Sequence, residues 1–297
     1  MKYSEETLKS WTAPLSKTEE DRAENAIKMI KKAISEDDNL QVMDIEVFTQ
    51  GSFANNTNVR TESDVDVCVM LKDVFHAECA KGKEYSDYGF VDSELTYEEY
   101  RRMIKAAIIT KFRKEYVHDG KKSIKIDENT YHVKADVVPT FQLRNYYYHN
   151  SVNSDYYVEG TWFTDTNGRE VKNYPKVHIN NGCNKNKDTN GRYKKLVRIM
   201  KHIKNDMVDD GETNGEIITS FLVECLIWNV PDWIITGYPT WTETVKQAIK
   251  YLYDEIDNRR HLEWGEVSEM LYLFKGRKWT DNDAKQWLIA AWNYLEY

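Results

Sequence analysis

Two aspartates inside a run of valines constrain this chain more than any other feature of its sequence. They lie in the segment Ser63-Asp64-Val65-Asp66-Val67-Cys68-Val69. Because residues i and i+2 of a β-strand point to the same face, Asp64 and Asp66 should lie side by side while the valines face the core. Two neighbouring carboxylates repel each other unless a cation lies between them, and such oxygen ligands suit Mg²⁺ with bound phosphates. The segment therefore predicts a divalent-metal site on a strand.

A third carboxylate follows in a second predicted strand. Residues 131–139 are predicted to form a strand ended by a proline, with residues 122–126 as its hairpin partner and residues 127–129 as the turn. If this strand lies beside the first, Asp136 completes a cluster of three carboxylates. Such a cluster can hold two Mg²⁺ ions, one activating an attacking hydroxyl and one holding a triphosphate.

A glycine–serine pair precedes the aspartates and adds a phosphate-binding element. Residues 42–49 are predicted to form a strand that leads directly into Gly51-Ser52. Glycine lets the backbone approach a phosphate closely, and amides in a turn or at a helix start favour anions. An Asp-x-Asp pair alone is equally compatible with a solvated strand edge. Its combination with Gly51-Ser52 and Asp136 favours a site for metal and phosphate.

These motifs together resemble a known family. Gly51-Ser52, the Asp-x-Asp strand and Ala135-Asp136-Val137-Val138-Pro139 resemble the nucleotidyltransferase superfamily that includes DNA polymerase beta. The closer resemblance is to the CD-NTases, the bacterial relatives of cyclic GMP-AMP synthase and oligoadenylate synthase. Residues 11–16, residues 178–186 and the basic helix after them are similar to the clade E enzymes of that family.

The resemblance implies a role for each motif residue. Asp64, Asp66 and Asp136 would be the catalytic carboxylates and would bind two Mg²⁺ ions, with Mn²⁺ able to substitute. Gly51 and Ser52 would hold the triphosphate of the donor nucleotide. Nothing supports a catalytically dead relative, because all three carboxylates are present.

The charge of the chain argues against a general nucleic-acid binder. Its net charge is −8 over 297 residues, whereas proteins that bind long nucleic acids usually carry a basic surface. Basic residues are concentrated between Lys185 and Lys204. A basic island on an acidic protein suits a small polyanion such as a nucleoside triphosphate. Lys187 belongs to this island and is predicted to bind nucleotide.

Other features of composition predict a cytoplasmic protein without a membrane segment. The N-terminus is polar, and no apolar run reaches membrane-spanning length. The four cysteines show neither a metal-ligand nor a disulfide pattern. Cys68 and Cys225 are predicted to be reduced residues of the core.

The order of elements predicts an α/β (α+β) fold with two lobes. Residues 1–150 would form a nucleotidyltransferase lobe with a mixed sheet and a helix over residues 18–34. Residues 145–173 are predicted to be an irregular crossing between the lobes. Residues 151–297 would form a mainly helical lobe that completes the nucleotide cleft.

A helix predicted from about residue 192 carries an apolar stripe and a basic stripe on different faces. The basic stripe comprises Lys194, Arg198 and Lys201, and such a stripe is typically a solvated face. The resemblance instead implies that a lysine of this helix contacts the donor triphosphate. Lys201 is the first candidate for that contact and Arg198 is the second.

Two further segments are candidates for nucleotide contacts. Ser220 lies in a predicted apolar helix over residues 217–229, where a serine commonly bonds to a carbonyl of its own helix. The resemblance implies instead that this serine contacts the terminal phosphates. The amide-rich residues 174–187 resemble a lid that helps to choose the base, and its Asn180 and Asn181 are candidates because asparagine both donates and accepts hydrogen bonds. The Asn-Gly pair at Asn181 is also a common turn signal.

The predicted reaction is attack of a ribose hydroxyl on the α-phosphate of a bound triphosphate, such as ATP or GTP, with release of pyrophosphate. A second round would close a cyclic dinucleotide, and catalysis would consist mostly of positioning and charge neutralisation. The resemblance implies a second messenger in anti-phage (CBASS-type) signalling that activates a separately encoded effector. The enzyme is expected to act as a monomer on free nucleotides, without a long nucleic acid or a membrane.

Three alternatives remain open from the sequence. The chain could transfer a nucleotide to a macromolecule or a small acceptor, such as tRNA, a protein or an aminoglycoside. It could cyclise a single nucleotide. It could be an inactive module that binds nucleotide or RNA, although its overall acidity argues against RNA.

Overall fold

The protein is described from a computed structural model that covers residues 2–59 and 64–297. Ser63, the first residue of the aspartate motif, lies outside the described residues. The chain forms two compact units. The sheet unit comprises Ser16–Ala54 and Ser63–Val177, and the helical unit comprises Met1–Leu15, Asn55–Glu62 and His178–Tyr297.

A mixed β-sheet is the centre of the sheet unit. The strands within the described residues are β1 Ile45–Gln50, β2 Val65–Glu78, β3 Val117–Asp119, β4 Ile124–Ile126, β5 Ala135–Asn145, β6 Val158–Thr164 and β7 Glu170–Asn173. They run in the order β1-β2-β5-β4-β3, and β6 pairs with both β5 and β7. The β2–β5 pair is parallel, whereas the other pairs are antiparallel.

Ten α-helices accompany the sheet within the described residues. They are α1 Glu5–Ser10, α2 Lys17–Ser35, α3 Gly51–Ala54, α4 Tyr97–Phe112, α5 Pro175–Asp188, α6 Arg192–Asp209, α7 Ser220–Trp228, α8 Asp232–Thr236, α9 Trp241–Asp257 and α10 Asp281–Tyr294. Three of these helices, α2, α3 and α4, belong to the sheet unit, and most of the others lie in the helical unit.

The valines of β2 face a hydrophobic core, as the alternation predicts. Val65, Val67 and Val69 are fully buried together with residues of α2 and α4. The hydroxyls of Tyr97 and Tyr100 in α4 reach two adjacent strands, where each donates a hydrogen bond of 3.1 Å to a backbone carbonyl. This packing holds β2 and β5 rigidly next to each other, which is where the predicted site lies.

The prediction that the strand carrying Asp136 ends at Pro139 is wrong. The strand β5 continues to Asn145, and its residues 138–140 lie between the stretch that pairs with β4 and the stretch that pairs with β6. On the side of β5 that faces β4 and β6, Pro139 has no strand partner among the described residues. The absence of an N–H group in Pro139 therefore removes no hydrogen bond between strands there. The predicted pairing with residues 124–126 is confirmed, but the connection extends from residue 127 to residue 134 rather than forming a tight turn.

The prediction that residues 145–173 are an irregular crossing is also wrong. They contain β6 and β7, and β6 extends the sheet because Phe141 pairs with Trp162 in antiparallel register. For the same reason the compact units do not divide at the predicted boundary of residue 150. The chain passes from the sheet unit to the helical unit at Val177, and two earlier segments also belong to the helical unit.

The helical unit is organised around α6. The predicted apolar stripe of this helix is confirmed, because its members are all 1 % exposed or less and pack with α7, α9 and α10 in one core. The stripe comprises Tyr193, Leu196, Val197, Met200, Ile203 and Met207. Cys68 and Cys225 are buried and unpaired, as predicted. Among residues 2–59 and 64–297, no helix combines the length and apolar character needed to cross a bilayer.

Candidate active site

Two of the predicted catalytic aspartates are direct neighbours in the sheet. The parallel register pairs Asp66 with Asp136, and each is the second residue of its strand. Asp64 lies exposed, one residue before β2 begins. Parallel pairing at the start of both strands thus brings the two motifs together, although more than sixty residues separate them in the sequence.

The electrostatics of these carboxylates reflect their crowding. Burial, followed by the charges of Asp136 and Asp64, raises the pKa of Asp66 to about 7. Burial also raises the pKa of Asp136, against the opposing effects of Lys125 and a hydrogen bond from Ser123. Both groups feel the charge of Asp64. The ionised forms of Asp66 and Asp136 are therefore disfavoured unless a cation binds near them.

This donor set fits a divalent cation. Carboxylate oxygens are the ligands that Mg²⁺ prefers, and a cation would remove the repulsion that raises the pKa of Asp66. Among the described residues, no three His, Cys, Asp or Glu side chains form a ready-made metal-binding group. The pair of Asp66 and Asp136 is thus the nucleus of a site, and further oxygen ligands must complete it.

Gly51 lies against Asp66 and cannot carry a side chain there. The antiparallel register of β1 and β2 pairs Gln50 with Asp66, so Gly51 follows at the edge of the carboxylate. A Cβ atom at this position would overlap Asp66 Oδ2 and lie 3.2 Å from Asp66 Cγ, and the backbone has a φ of +67°. Ser52 is the next residue and lies half-buried in α3. The structure thus brings Gly51 to the Asp66 carboxylate, and Ser52 is its neighbour in the chain.

The basic stripe of α6 is buried, so its reading as a solvated face is wrong. Lys194, Arg198 and Lys201 are 9 %, 5 % and 1 % exposed. Lys194 Nζ donates to Cys183 Sγ at 3.3 Å. Arg198 donates to the backbone carbonyl oxygens of Thr12 and Asn56. Lys194 and Arg198 are therefore bound by protein groups of the helical unit.

Lys201 is part of a buried polar network that the sequence analysis missed. Its Nζ lies 2.8 Å from Glu224 Oε2 and 3.2 Å from Thr57 Oγ1. The other carboxylate oxygen of Glu224 lies 3.1 Å from His178 Nε2. Although burial alone would raise it, Lys201 and His178 hold the pKa of Glu224 well below its usual range. A signal was present: one acidic residue in an otherwise apolar helix requires a buried partner.

Ser220 begins α7 rather than lying inside it. The Thr219 side chain caps the helix by accepting a hydrogen bond of 3.2 Å from Leu222 N. As the first residue of α7, Ser220 has no earlier turn of this helix before it. Whether Ser220 contacts phosphate stays a prediction.

The amide-rich segment is helical, so the reading of Asn181 as a turn residue is wrong. Asn180, Asn181 and Lys187 all belong to α5, whose bounds are Pro175–Asp188. Asn180 and Lys187 are exposed, whereas the half-buried Asn181 donates a hydrogen bond of 2.9 Å to the Val267 carbonyl. Contacts of these residues with nucleotide stay predictions.

Sequence families cover both units. Residues 27–155 match the family described as "Nucleotidyltransferase domain". Residues 180–296 match the "cGAS/DncV-like nucleotidyltransferase C-terminal helical domain". The chain belongs to the cGAS/DncV-like nucleotidyltransferases. The predicted family and the predicted α/β fold class are thereby confirmed.

Relatives with assigned names resemble the chain over its whole length. The "Cyclic dipyrimidine nucleotide synthase CdnE" of Cecembia lonarensis is 45 % identical, over 100 % of this chain and 99 % of the relative. A protein of the same name from Legionella pneumophila is 36 % identical, over 98 % of each chain. The "Cyclic dipurine nucleotide synthase" of Elizabethkingia meningoseptica is 33 % identical, over 100 % of each chain.

A solved structure extends this similarity to three dimensions. The Rhodothermus marinus CdnE c-UMP-AMP synthase, determined with Apcpp and Upnpp, aligns with a TM-score of 0.86 at 28 % identity. The alignment covers 99 % of this chain and 97 % of the Rhodothermus chain. That protein therefore has the fold described above and was determined with two nucleotide analogues.

Proposed function

We propose that this nucleotidyltransferase joins two nucleoside triphosphates into a cyclic dinucleotide and releases pyrophosphate. The observation that carries the proposal is the register pair of Asp66 and Asp136, with Gly51 packed against Asp66. The relatives named cyclic dinucleotide synthases, which match the chain over nearly its full length, support it.

The chemistry follows from what the site residues hold. Asp64, Asp66 and Asp136 would hold the divalent ions, and Asp136 would also orient the acceptor hydroxyl. Bound Mg²⁺ or Mn²⁺ would neutralise phosphate charge and make a ribose hydroxyl easier to ionise. Gly51 leaves room for the Asp66 carboxylate, and Ser52 offers a hydroxyl. Catalysis would then rest on alignment and fixed charge.

We propose that at least one substrate is a pyrimidine triphosphate. Two relatives, at 45 % and 36 % identity, are named cyclic dipyrimidine nucleotide synthases. A purine product is the second candidate, because a relative at 33 % identity is named a cyclic dipurine nucleotide synthase. One fold therefore serves different bases, so the choice depends on local side chains. The proposed lid residues Asn180 and Asn181 are candidates for that role.

The biological setting is proposed on the family resemblance. The product would be a second messenger in CBASS-type anti-phage signalling that activates a separately encoded effector. The enzyme would work as a monomer in the cytoplasm. Its binding of free nucleotides rather than long nucleic acid is supported by the net charge of −8.

The proposal is tested by incubating the purified protein with labelled ATP, GTP, CTP and UTP and Mg²⁺ or Mn²⁺. The wild type should form a phosphatase-resistant product from nucleotides alone, and the Asp64→Asn/Asp66→Asn variant should form none. Asp73→Asn is the matched control, because Asp73 is an exposed carboxylate of the same strand and should keep full activity. An active double variant would refute the proposed mechanism. Product mass separates a dinucleotide from a single-nucleotide cyclase, and a requirement for added acceptor would favour the macromolecular alternative.

A further inference from the structure

The segment Asn55–Val59 joins the Gly51-Ser52 turn to the strand that carries Asp66. It follows α3 directly, yet it belongs to the helical unit. Four of its five residues are buried: Asn55, Thr57, Asn58 and Val59 are 3 %, 0 %, 3 % and 2 % exposed. Burial of so polar a segment is costly unless specific partners hold it. The residues that contact the segment therefore indicate its role.

Arg198 holds the backbone of this segment. Its Nη1 donates to the Asn56 carbonyl oxygen at 2.5 Å, while Nε and Nη2 donate to the Thr12 carbonyl oxygen at 2.9 and 2.5 Å. Asn56 has a φ of +51°, an uncommon conformation for a residue with a side chain. Burial lowers the pKa of Arg198 to about 10, so the guanidinium remains charged at neutral pH. The forked donors of Arg198 thus fix the chain at a strained point.

Lys201 and Glu224 hold the next residue of the segment. The Thr57 hydroxyl donates to Glu224 Oε2 at 2.8 Å and lies 3.2 Å from Lys201 Nζ. Lys201 and Glu224 are themselves paired at 2.8 Å, and their side chains are 1 % and 5 % exposed. His178 contacts the remaining oxygen of Glu224. The hydroxyl of Thr57 is therefore bound by a buried ion pair.

Arg198 and Lys201 were expected to bind phosphate, yet both are directed at the segment Asn55–Val59. We propose that Arg198, Lys201 and Glu224 are positioning residues that clamp this segment and thereby fix where the chain leaves the Gly51-Ser52 turn. The clamp acts on the reaction through Gly51 and Ser52. The inference rests on the proposed function, because its effect is measured through nucleotide transfer.

Thr57→Val is the decisive variant, because it removes the contacts of Thr57 with Glu224 and Lys201 without removing any charge that a phosphate could meet. The side chain keeps nearly the same volume, and the ion pair between Lys201 and Glu224 remains. A displacement of about 1 Å in a positioned group can cost about a hundredfold in rate. We therefore expect Thr57→Val to lower kcat at least about tenfold while KM for each triphosphate changes less than about threefold. Thr57→Ser, which restores the hydroxyl, should recover most of kcat.

Arg198→Met tests the backbone contact, and Arg192→Met is its matched control. Both arginines lie in α6 and donate to backbone carbonyl oxygens, but Arg192 reaches Ile235 and Tyr238 rather than the segment. Arg198→Met should lower kcat as Thr57→Val does. Arg192→Met should keep kcat at temperatures where both variants remain folded, as checked by melting curves.

Three results would overturn the clamp. The first is an unchanged kcat in Thr57→Val. The second is an increase in KM for a triphosphate with unchanged kcat in Arg198→Met, which indicates direct phosphate binding. The third is a loss of kcat in Arg192→Met equal to that in Arg198→Met. Failure of the proposed function itself gives a different result, because the wild type would then form no cyclic dinucleotide from any nucleotide pair.

Discussion

Removal of the Glu224 carboxylate should destabilise the helical unit strongly. Glu224→Gln leaves Lys201 as a buried charge, since its side chain is 1 % exposed and its ion partner lies 2.8 Å away. Breaking one side of such a pair costs about 3–5 kcal/mol. The free energy of unfolding, measured in urea by tryptophan fluorescence, should fall by that amount. Asp257→Asn breaks an exposed pair with Lys285 in the same unit, and it should barely move the midpoint.

A variant of the partner residue, Lys201, tests whether the two buried charges are coupled. Lys201→Met alone leaves the Glu224 carboxylate without its cation and should destabilise to a similar extent. The double variant Lys201→Met/Glu224→Gln contains no unpaired buried charge, so its loss should be smaller than the sum of the two single losses by about 2–3 kcal/mol. If the two losses add within about 0.5 kcal/mol, the charges are not coupled and the argument is wrong.

Three further predictions concern pH, the Gly51 turn and metal. Because the folded-state pKa of Glu224 is held below its unfolded value of about 4.3, its contribution is present above that pH and is lost as pH falls. The stability difference between wild type and Glu224→Gln should therefore shrink in urea titrations below about pH 4. Gly51→Ala should abolish nucleotide transfer, because the added Cβ overlaps Asp66 Oδ2. Gly168→Ala is the control and should keep full transfer activity, because Gly168 has a similar φ of +73° but nothing lies within 4 Å of the added atom. Burial, followed by the charges of Asp136 and Asp64, raises the pKa of Asp66 to about 7. A bound cation offsets both effects, so Mg²⁺ should raise the melting temperature of the wild type but not of Asp66→Asn. An equal shift in both would contradict that site.

The carboxylate site could be predicted from the sequence because its geometry depends on local rules. The two-residue period of a strand defines the face of Asp66 and places the valines on the opposite, buried face. To predict Asp136 as the neighbour of Asp66, we needed only the assumption that the two strands lie side by side. The register pair of Asp66 and Asp136 shows that they do.

Other features depend on long-range contacts that a local pattern does not contain. Pro139 is tolerated inside β5 only because β4 and β6 pair with different stretches of that strand. The burial of Arg198 and Lys201 depends on a segment more than one hundred residues earlier in the chain. The partners of Glu224 could not be identified from the sequence for the same reason, since they lie on other elements.

The central claim is that the aspartates carry out cyclic dinucleotide synthesis. The most direct measurement is mass spectrometry of the products that the wild type and Asp66→Asn form from pooled ATP, GTP, CTP and UTP. We predict a cyclic dinucleotide that contains a pyrimidine from the wild type, and only unreacted triphosphates from the variant. Unreacted triphosphates from the wild type under every metal condition, or the same cyclic product from Asp66→Asn, would contradict the account.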